Sequence, residues 1–180
     1  MIADAAAHPD AQIRDLFEGF VPEEKPVQRF GAVIKPAEIL TLTGDPVRGW
    51  QVFLQSGQCK NCHRVGNEGT EIGPDLSQIG KKLDRARILE SILEPSKVID
   101  PAYTTYLVET TNGTLHTGLI VRKSEKEVQL KDAQGKITTL SVAMIDSITP
   151  QRISMMPELL LRDMTPREVA DLLEYLGSLK

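Results

Sequence analysis

Aromatic residues are scarce in this 180-residue chain, at 4% of the total. A single core of that length would rest on aliphatic packing or on a group the chain does not encode, so a bound prosthetic group is an early expectation. No apolar run approaches the roughly 20 residues that a membrane-spanning helix needs. The segment from Met1 to Asp10 has neither a basic stretch nor an apolar one, so no export signal is read there. Positive charge is not in excess either: 21 Lys and Arg face 25 Asp and Glu, and a net charge of −4 argues against nucleic acid as the main partner. Internal repeats, low-complexity tracts and long runs of like charge are all missing. With 41% hydrophobic and 26% charged residues the chain can bury one sizeable core or two small ones, and long disorder is not expected. Cysteine is nearly absent as well. Cys59 and Cys62 are the only two, so the question is one of a motif and not of a disulfide framework.

Helical signals come early and late. Asp45 can cap a helix with Pro46 in its first turn, followed by Val47, Trp50, Phe53 and Leu54 at helical spacing up to Ser56-Gly57. Asp84 caps a second, with Ile88, Leu89, Ile92 and Leu93 on one face and Pro95 behind it. Thr165-Pro166-Arg167-Glu168 is a capping box that opens a third, with Val169, Leu172, Leu173 and Leu176 inward. Residues 1–43 contain Pro9, Pro22, Pro26 and Pro36 and read as a wrapping arm or linker, with a short amphipathic turn at Ile13, Leu16, Phe17 and Phe20. From about Tyr103 the period changes. Short alternations and turn signals at Asn112-Gly113 and Asp132 to Gly135 predict five strands near 103–110, 114–123, 127–132, 136–141 and 144–149, a small barrel or curled meander.

The chemistry concentrates in Cys59-Lys60-Asn61-Cys62-His63. C-x-x-C-H is the signature of covalent c-type haem attachment. On a helical turn the thiols at i and i+3 reach the two vinyl-derived carbons of one haem, and the imidazole at i+4 reaches the iron from the same side. Cys59 and Cys62 then form thioethers and His63 is the proximal iron ligand. A zinc half-site competes, but the other histidines are only His8 and His116, and no further cysteine can close a tetrahedron. A thioredoxin-like dithiol would follow a strand, whereas a helix precedes this pair. The expected cofactor is therefore one covalently attached haem c per chain.

Ile72-Gly73-Pro74-Asp75-Leu76 and Met156-Pro157 extend the pattern. With Gly49 and Phe53 four apart in the first helix and Tyr175 in the last, the chain resembles the class I c-type cytochromes. That resemblance implies that Gly49 and Phe53 pack near Tyr175 and that the Pro74 carbonyl orients His63. Over residues 13–180 the match is closer to the C-terminal haem-binding cytochrome domains of large planctomycete and verrucomicrobial dehydrogenase-like proteins. It is carried by Ile13 to Phe17, Gly44-Asp45, Ile72 to Leu76, Ser91 to Ser96, Met156-Pro157 and Asp171 to Leu173. The implied fold is a mainly α cytochrome c fold with an inserted small all-β subdomain. Its parts are an arm at 1–43, core segments at 44–100 and 150–180, and the insertion at 101–149.

The distal iron ligand implied by the resemblance is Met156, with Met155 as runner-up. Met164 reads as a gap-filling core residue, and His116 is a weak distal alternative. Lys60, Arg64, Lys81, Lys82, Arg85 and Arg87 form either a positive rim for an acidic redox partner or a merely solvated face. The expected function is one-electron transfer, not catalysis, with electrons arriving from an attached or separate dehydrogenase, on the exported, periplasmic side of a bacterial membrane. The chain would then be an excised domain or mature fragment. A haem-based sensor or gas-binding module with an open or displaceable distal ligand is the alternative, and a haem peroxidase, whose di-haem forms carry two attachment motifs, is a third.

Overall fold

The computed structural model describes residues 35–180 together with His8, Asp10, Ile13, Leu16 and Phe17. Most of the expected arm, Phe20 included, lies outside the described residues. Among those described there are five α-helices and two sheets. Helix α1 spans Pro36–Thr41, α2 Pro46–Leu54, α3 Ile79–Lys82, α4 Arg85–Leu93 and α5 Pro166–Ser178. Strands β1 (Arg64–Val65) and β2 (Glu68–Gly69) form a small hairpin, and β3 (Thr105–Thr110), β4 (Leu115–Lys123), β5 (Glu127–Lys131), β6 (Ile137–Ser141) and β7 (Ile145–Pro150) form one antiparallel sheet.

The caps fall where local chemistry puts them. The Asp45 carboxylate accepts from the Val47 and Arg48 amides at 2.8 and 3.0 Å, and Asp84 accepts from Arg87 at 2.8 Å. At α5 the capping box is complete: Thr165 N–H donates to Glu168 Oε2 at 2.8 Å, and Glu168 N–H donates to Thr165 Oγ1 at 3.2 Å.

Helix α5 is the axis of the helical core. Phe53, Leu89, Leu161, Val169 and Leu173 are at most 1% exposed, and Ile39 of α1 is fully buried with them. Helices α2 and α5 touch backbone to backbone at Gly49, where a Cβ would collide with the Asp171 carbonyl and stand 2.6 Å from Tyr175 Cβ. That approach sets which face of α2 points inward. Gly49, Val52 and Phe53 are buried, whereas Val47, expected on the apolar face, is 73% exposed. Trp50 packs with Phe53 and Tyr175 at ring-centroid distances of 5.7 and 5.3 Å. At the outer end of this seam the carboxylate of Asp171, 2% exposed, accepts from the Asp45 amide at 2.7 Å and from Arg48 Nε and Nη2 at 2.7 and 3.0 Å.

The second core belongs to the sheet: Val108, Val128 and Leu130, with Ile120, Leu140, Ile145 and Ile148 against them. Strand order is β6-β5-β4-β3-β7, a meander whose last strand returns beside its first. Residues from both end strands pack on the same three side chains, so the sheet is curled. Gly113 and Gly135 carry φ of +81° and +78° in the turns that precede β4 and β6, which is the conformation those turns require.

The expected mainly α class is overturned. Of the described residues 35% are helical and 23% are in strands, a mixed α and β chain. The reason is length: α5, the longest helix, has 13 residues and α3 only four, while the sheet holds five strands and a core of its own. Helices α1 and α3 and the β1–β2 hairpin are too short to set up a hydrophobic period and so leave no signal in the sequence.

Candidate functional site

Cys59 starts a short 3₁₀ turn, Cys59–Asn61, entered through Gln58 in the left-handed region at φ 51°. Two amides close on the same carbonyl: Cys62 N–H at 3.1 Å and His63 N–H at 2.8 Å both donate to Cys59 O. The turn thus gathers both thiols and the imidazole on one short stretch of backbone. Cys62 O in turn accepts from Ile72 at 3.1 Å and Gly73 at 2.7 Å, which folds the Ile72 to Leu76 segment back over the motif.

His63 is held from two sides. Its Nδ1 makes a 2.8 Å hydrogen bond with Pro74 O, for which Nδ1 must carry the proton, since a carbonyl only accepts. Gly73 lies flat against the ring: a Cβ there would come 2.7 Å from Cε1, 3.0 Å from Nδ1 and 3.2 Å from Nε2. Burial pushes the pKa of His63 down, and the bond to Pro74 opposes that only in part. The ring is therefore neutral at neutral pH with Nε2 left as a lone-pair donor, the state a metal ligand needs.

The thiols are not tuned as redox nucleophiles. Burial pushes Cys59 up to about 12, and the neighbouring Cys62 adds to the effect. Cys62 is raised too, again by burial. An activated dithiol needs a lowered pKa, so the disulfide-exchange reading loses support. Among the described residues no group of three His, Cys, Asp or Glu side chains is placed to hold a metal ion, so a zinc tetrahedron finds no further ligands there. Two thiols and a neutral imidazole on one turn, with the far ring nitrogen already oriented by a carbonyl, fit covalent haem instead.

A polar clasp that the sequence reading missed locks the segment after His63. Arg64 reaches Asp75 Oδ2 at 2.7 Å through Nη2 and Glu71 Oε1 at 2.6 Å through Nη1. Asp75 also accepts from the Ser77 amide at 2.7 Å and hydroxyl at 2.5 Å, and Ser77 Oγ accepts from Gly66 N–H at 2.8 Å. The Ser77 bonds and then Arg64 hold the Asp75 carboxyl well below the usual carboxylate range. Asp75-x-Ser77 is an Asx-turn pattern visible in the sequence, but nothing in the sequence says that it meets Arg64.

The methionines separate. Met164 is 2% exposed, and its Cε and Cys59 Sγ lie 3.3 and 3.0 Å from the point where a Gly57 Cβ would stand, so it fills space in the core beside the first thiol. Met155 and Met156 are half-buried in the segment between β7 and α5. Met156 N–H donates to Ser154 Oγ at 3.1 Å, and Ser154 N–H donates to Ser96 Oγ at 3.2 Å, which ties this segment to the end of α4. His116 sits in β4 opposite Val108, in the sheet.

The basic rim is reduced. Arg64 is paired as above, Arg85 is turned inward to Glu174 at 2.7 Å and to Leu42 O at 2.7 Å, and Arg87 pairs with Glu90 at 2.6 Å. Lys60, Lys81 and Lys82 are exposed and make no ion pair among the described residues.

Residues 46–134 match the family model described as Cytochrome c. The match takes in the turn, His63, Pro74 and the first strands of the sheet, and ends ahead of Met155 and Met156. No curated protein matches the chain. No helix among the described residues is long and apolar enough to cross a membrane.

Proposed function

We propose that the chain is a mono-haem one-electron carrier: residues 46–134 match the cytochrome c family model, and a domain of that kind carries covalent haem c and supports electron transfer. The observation that carries the reading is the His63 geometry, Nδ1 bound to Pro74 O at 2.8 Å and the ring flat against Gly73. Cys59 and Cys62 would hold the group by thioethers, and His63 and Met156 would ligate its iron. When bound, haem contributes a ferric/ferrous couple.

The chain's own part is orientation and exclusion of water. Pro74 fixes the imidazole plane and raises the basicity of Nε2, Gly73 leaves the ring room to sit, and the Arg64–Asp75–Ser77 clasp stops the Pro74 carbonyl from drifting. A thioether from Met156 favours the reduced iron relative to a second imidazole. Residues 44–100 and 150–180 form the haem-holding part, with the 101–149 sheet between them. The resemblance to planctomycete and verrucomicrobial haem domains supports an exported, periplasmic setting and a fused or partner dehydrogenase as electron source.

The test is the visible spectrum of protein matured with haem in the exported compartment, oxidised and dithionite-reduced, with a pyridine haemochrome assay. A low-spin ferric spectrum with a weak sulfur-to-iron band is expected. A covalent but high-spin spectrum refutes Met156 ligation and transfers the protein to the gas-binding class, and haem-free protein containing zinc refutes the whole reading.

A further inference from the structure

Every residue from Glu71 to Asp75, the run that places the Pro74 carbonyl on His63, has a partner, and the partners come from two directions. From the haem motif, Cys62 O accepts the Ile72 and Gly73 amides, the His63 ring faces Gly73 and bonds to Pro74, and Arg64 holds Asp75. From the sheet, Lys131 Nζ donates to Glu71 O at 2.9 Å, and the turn at Gly135 lies beside the Ile72 side chain, whose Cδ1 and Cγ1 are 3.5 and 3.7 Å from where a Gly135 Cβ would be. We infer that Lys131 is a positioning residue for His63, acting from the sheet through the Glu71–Pro74 run, so that the sheet is part of the haem site. This rests on the haem-ligation reading of His63.

The lever is rigid at its base. Lys131 lies on β5, an inner strand, paired with Leu119 of β4 on one side and Ile137 of β6 on the other. The turn that follows is tied down by Asp132, whose carboxylate accepts from the Gln134 and Lys136 amides at 3.0 and 2.9 Å and whose carbonyl accepts from Gly135 at 3.0 Å. Nor is Lys131 drawn by simple charge pairing. The Glu71 carboxylate is taken by Arg64 at 2.6 Å, and the ammonium bonds instead to the Glu71 backbone carbonyl, the atom that sets the path of the run. A charged donor on a fixed strand and an acceptor two bonds from the Ile72 amide make a direct mechanical connection.

The sign of one measurement separates positioning from bare electrostatics. Removing a positive charge from the protein disfavours the reduced state and lowers the midpoint potential. Loosening the run weakens the Nδ1–Pro74 bond, makes the imidazole a poorer donor to ferric iron and raises the potential. The variants are Lys131→Met, Lys131→Arg as conservative rescue, and Lys136→Met, which removes the same charge from the neighbouring turn without touching the run. In Lys131→Met the Ile72 and Gly73 amides should exchange with solvent about fivefold faster, the size of effect that one lost hydrogen bond gives. The Val108 and His116 amides in the sheet should stay as they are, and the potential should rise. Lys131→Arg should restore both, and Lys136→Met should leave exchange unchanged. Unchanged exchange in Lys131→Met, or a potential that falls as it does in Lys136→Met, overturns the inference. Amide exchange is also read on haem-free protein, so a failure of haem to attach would refute the ligation reading while the brace itself is still decided.

Discussion

Gly73→Ala should raise the midpoint potential, and the structure sets the size of the effect. The Gly73 backbone is not in the left-handed region, so alanine brings no backbone strain and the methyl acts only through what it meets. It meets the His63 ring, 2.7 Å from Cε1. An ordinary carbon–carbon contact is about 3.5 Å or more, so the ring and the loop must part by about 0.8 Å. The Nδ1–Pro74 bond starts at 2.8 Å; a displacement of that size along the bond takes it to the limit of a hydrogen bond, so loss of the bond is the upper limit of the effect. Its loss is worth about 1 kcal/mol. Expressed as a one-electron potential, with tenfold equal to 59 mV, that is at most about 40 mV. The direction is upward, because His63 without the carbonyl is a weaker donor to the oxidised iron. Spectroelectrochemical titration of the two proteins measures it, with Gly113→Ala as control: Gly113 has φ of +81°, open space around it and a place in the β3–β4 turn, so alanine there brings strain but no contact with the ring or the clasp. A Gly73→Ala protein that is still low-spin, with an unchanged or lower potential, would refute the idea that Gly73 and Pro74 together orient His63.

Gly49→Ala should cost about 2 kcal/mol in urea unfolding, because overpacking α2 against the α5 backbone outweighs the roughly 1 kcal/mol gained from helix propensity; a neutral result would mean that the two helices do not touch there. Asp75→Asn should lower stability at neutral pH by an amount that shrinks on acidification. The folded-state pKa of Asp75 lies below its unfolded value, so its contribution is present above about pH 4 and is lost as pH falls toward the folded value. A gap between wild type and variant that stays constant from pH 6 to pH 2, followed by thermal denaturation, would contradict the clasp. Met156→Ala should abolish the weak ferric sulfur-to-iron band and lower the potential, while Met155→Ala keeps both; the reverse pattern would transfer the distal role to Met155.

Much of this could be read from the chain because it is written in short-range chemistry. The Asp45, Asp84 and Thr165 caps act over three or four residues, and the turn glycines at 113 and 135 announce hairpins by themselves, so three helices and five strands fall within a residue or two of expectation. The haem motif is equally local, five residues whose spacing is a condition of the chemistry. Secondary structure under two turns was not legible: α1, α3 and the β1–β2 hairpin are decided by the bonds and burial they find, not by a period of their own. Nor was the place on α2 of Val47, which obeys the helical spacing and still points to solvent.

Those orientations come from contacts between residues far apart in sequence, and no periodicity records them. Gly49 meets Asp171 because two backbones can approach only where a side chain is missing on one of them. Arg85, which reads as part of a surface cluster, turns inward because Glu174 and the Leu42 carbonyl await it. Lys131 and Glu71 stand 60 positions apart and meet only because β5 is held between two ladders. The sequence alone determined that two thiols and an imidazole share one turn, and its resemblance pointed Pro74 at that imidazole; only the folded chain decided that the Pro74 segment is clasped by Arg64 and braced from the sheet.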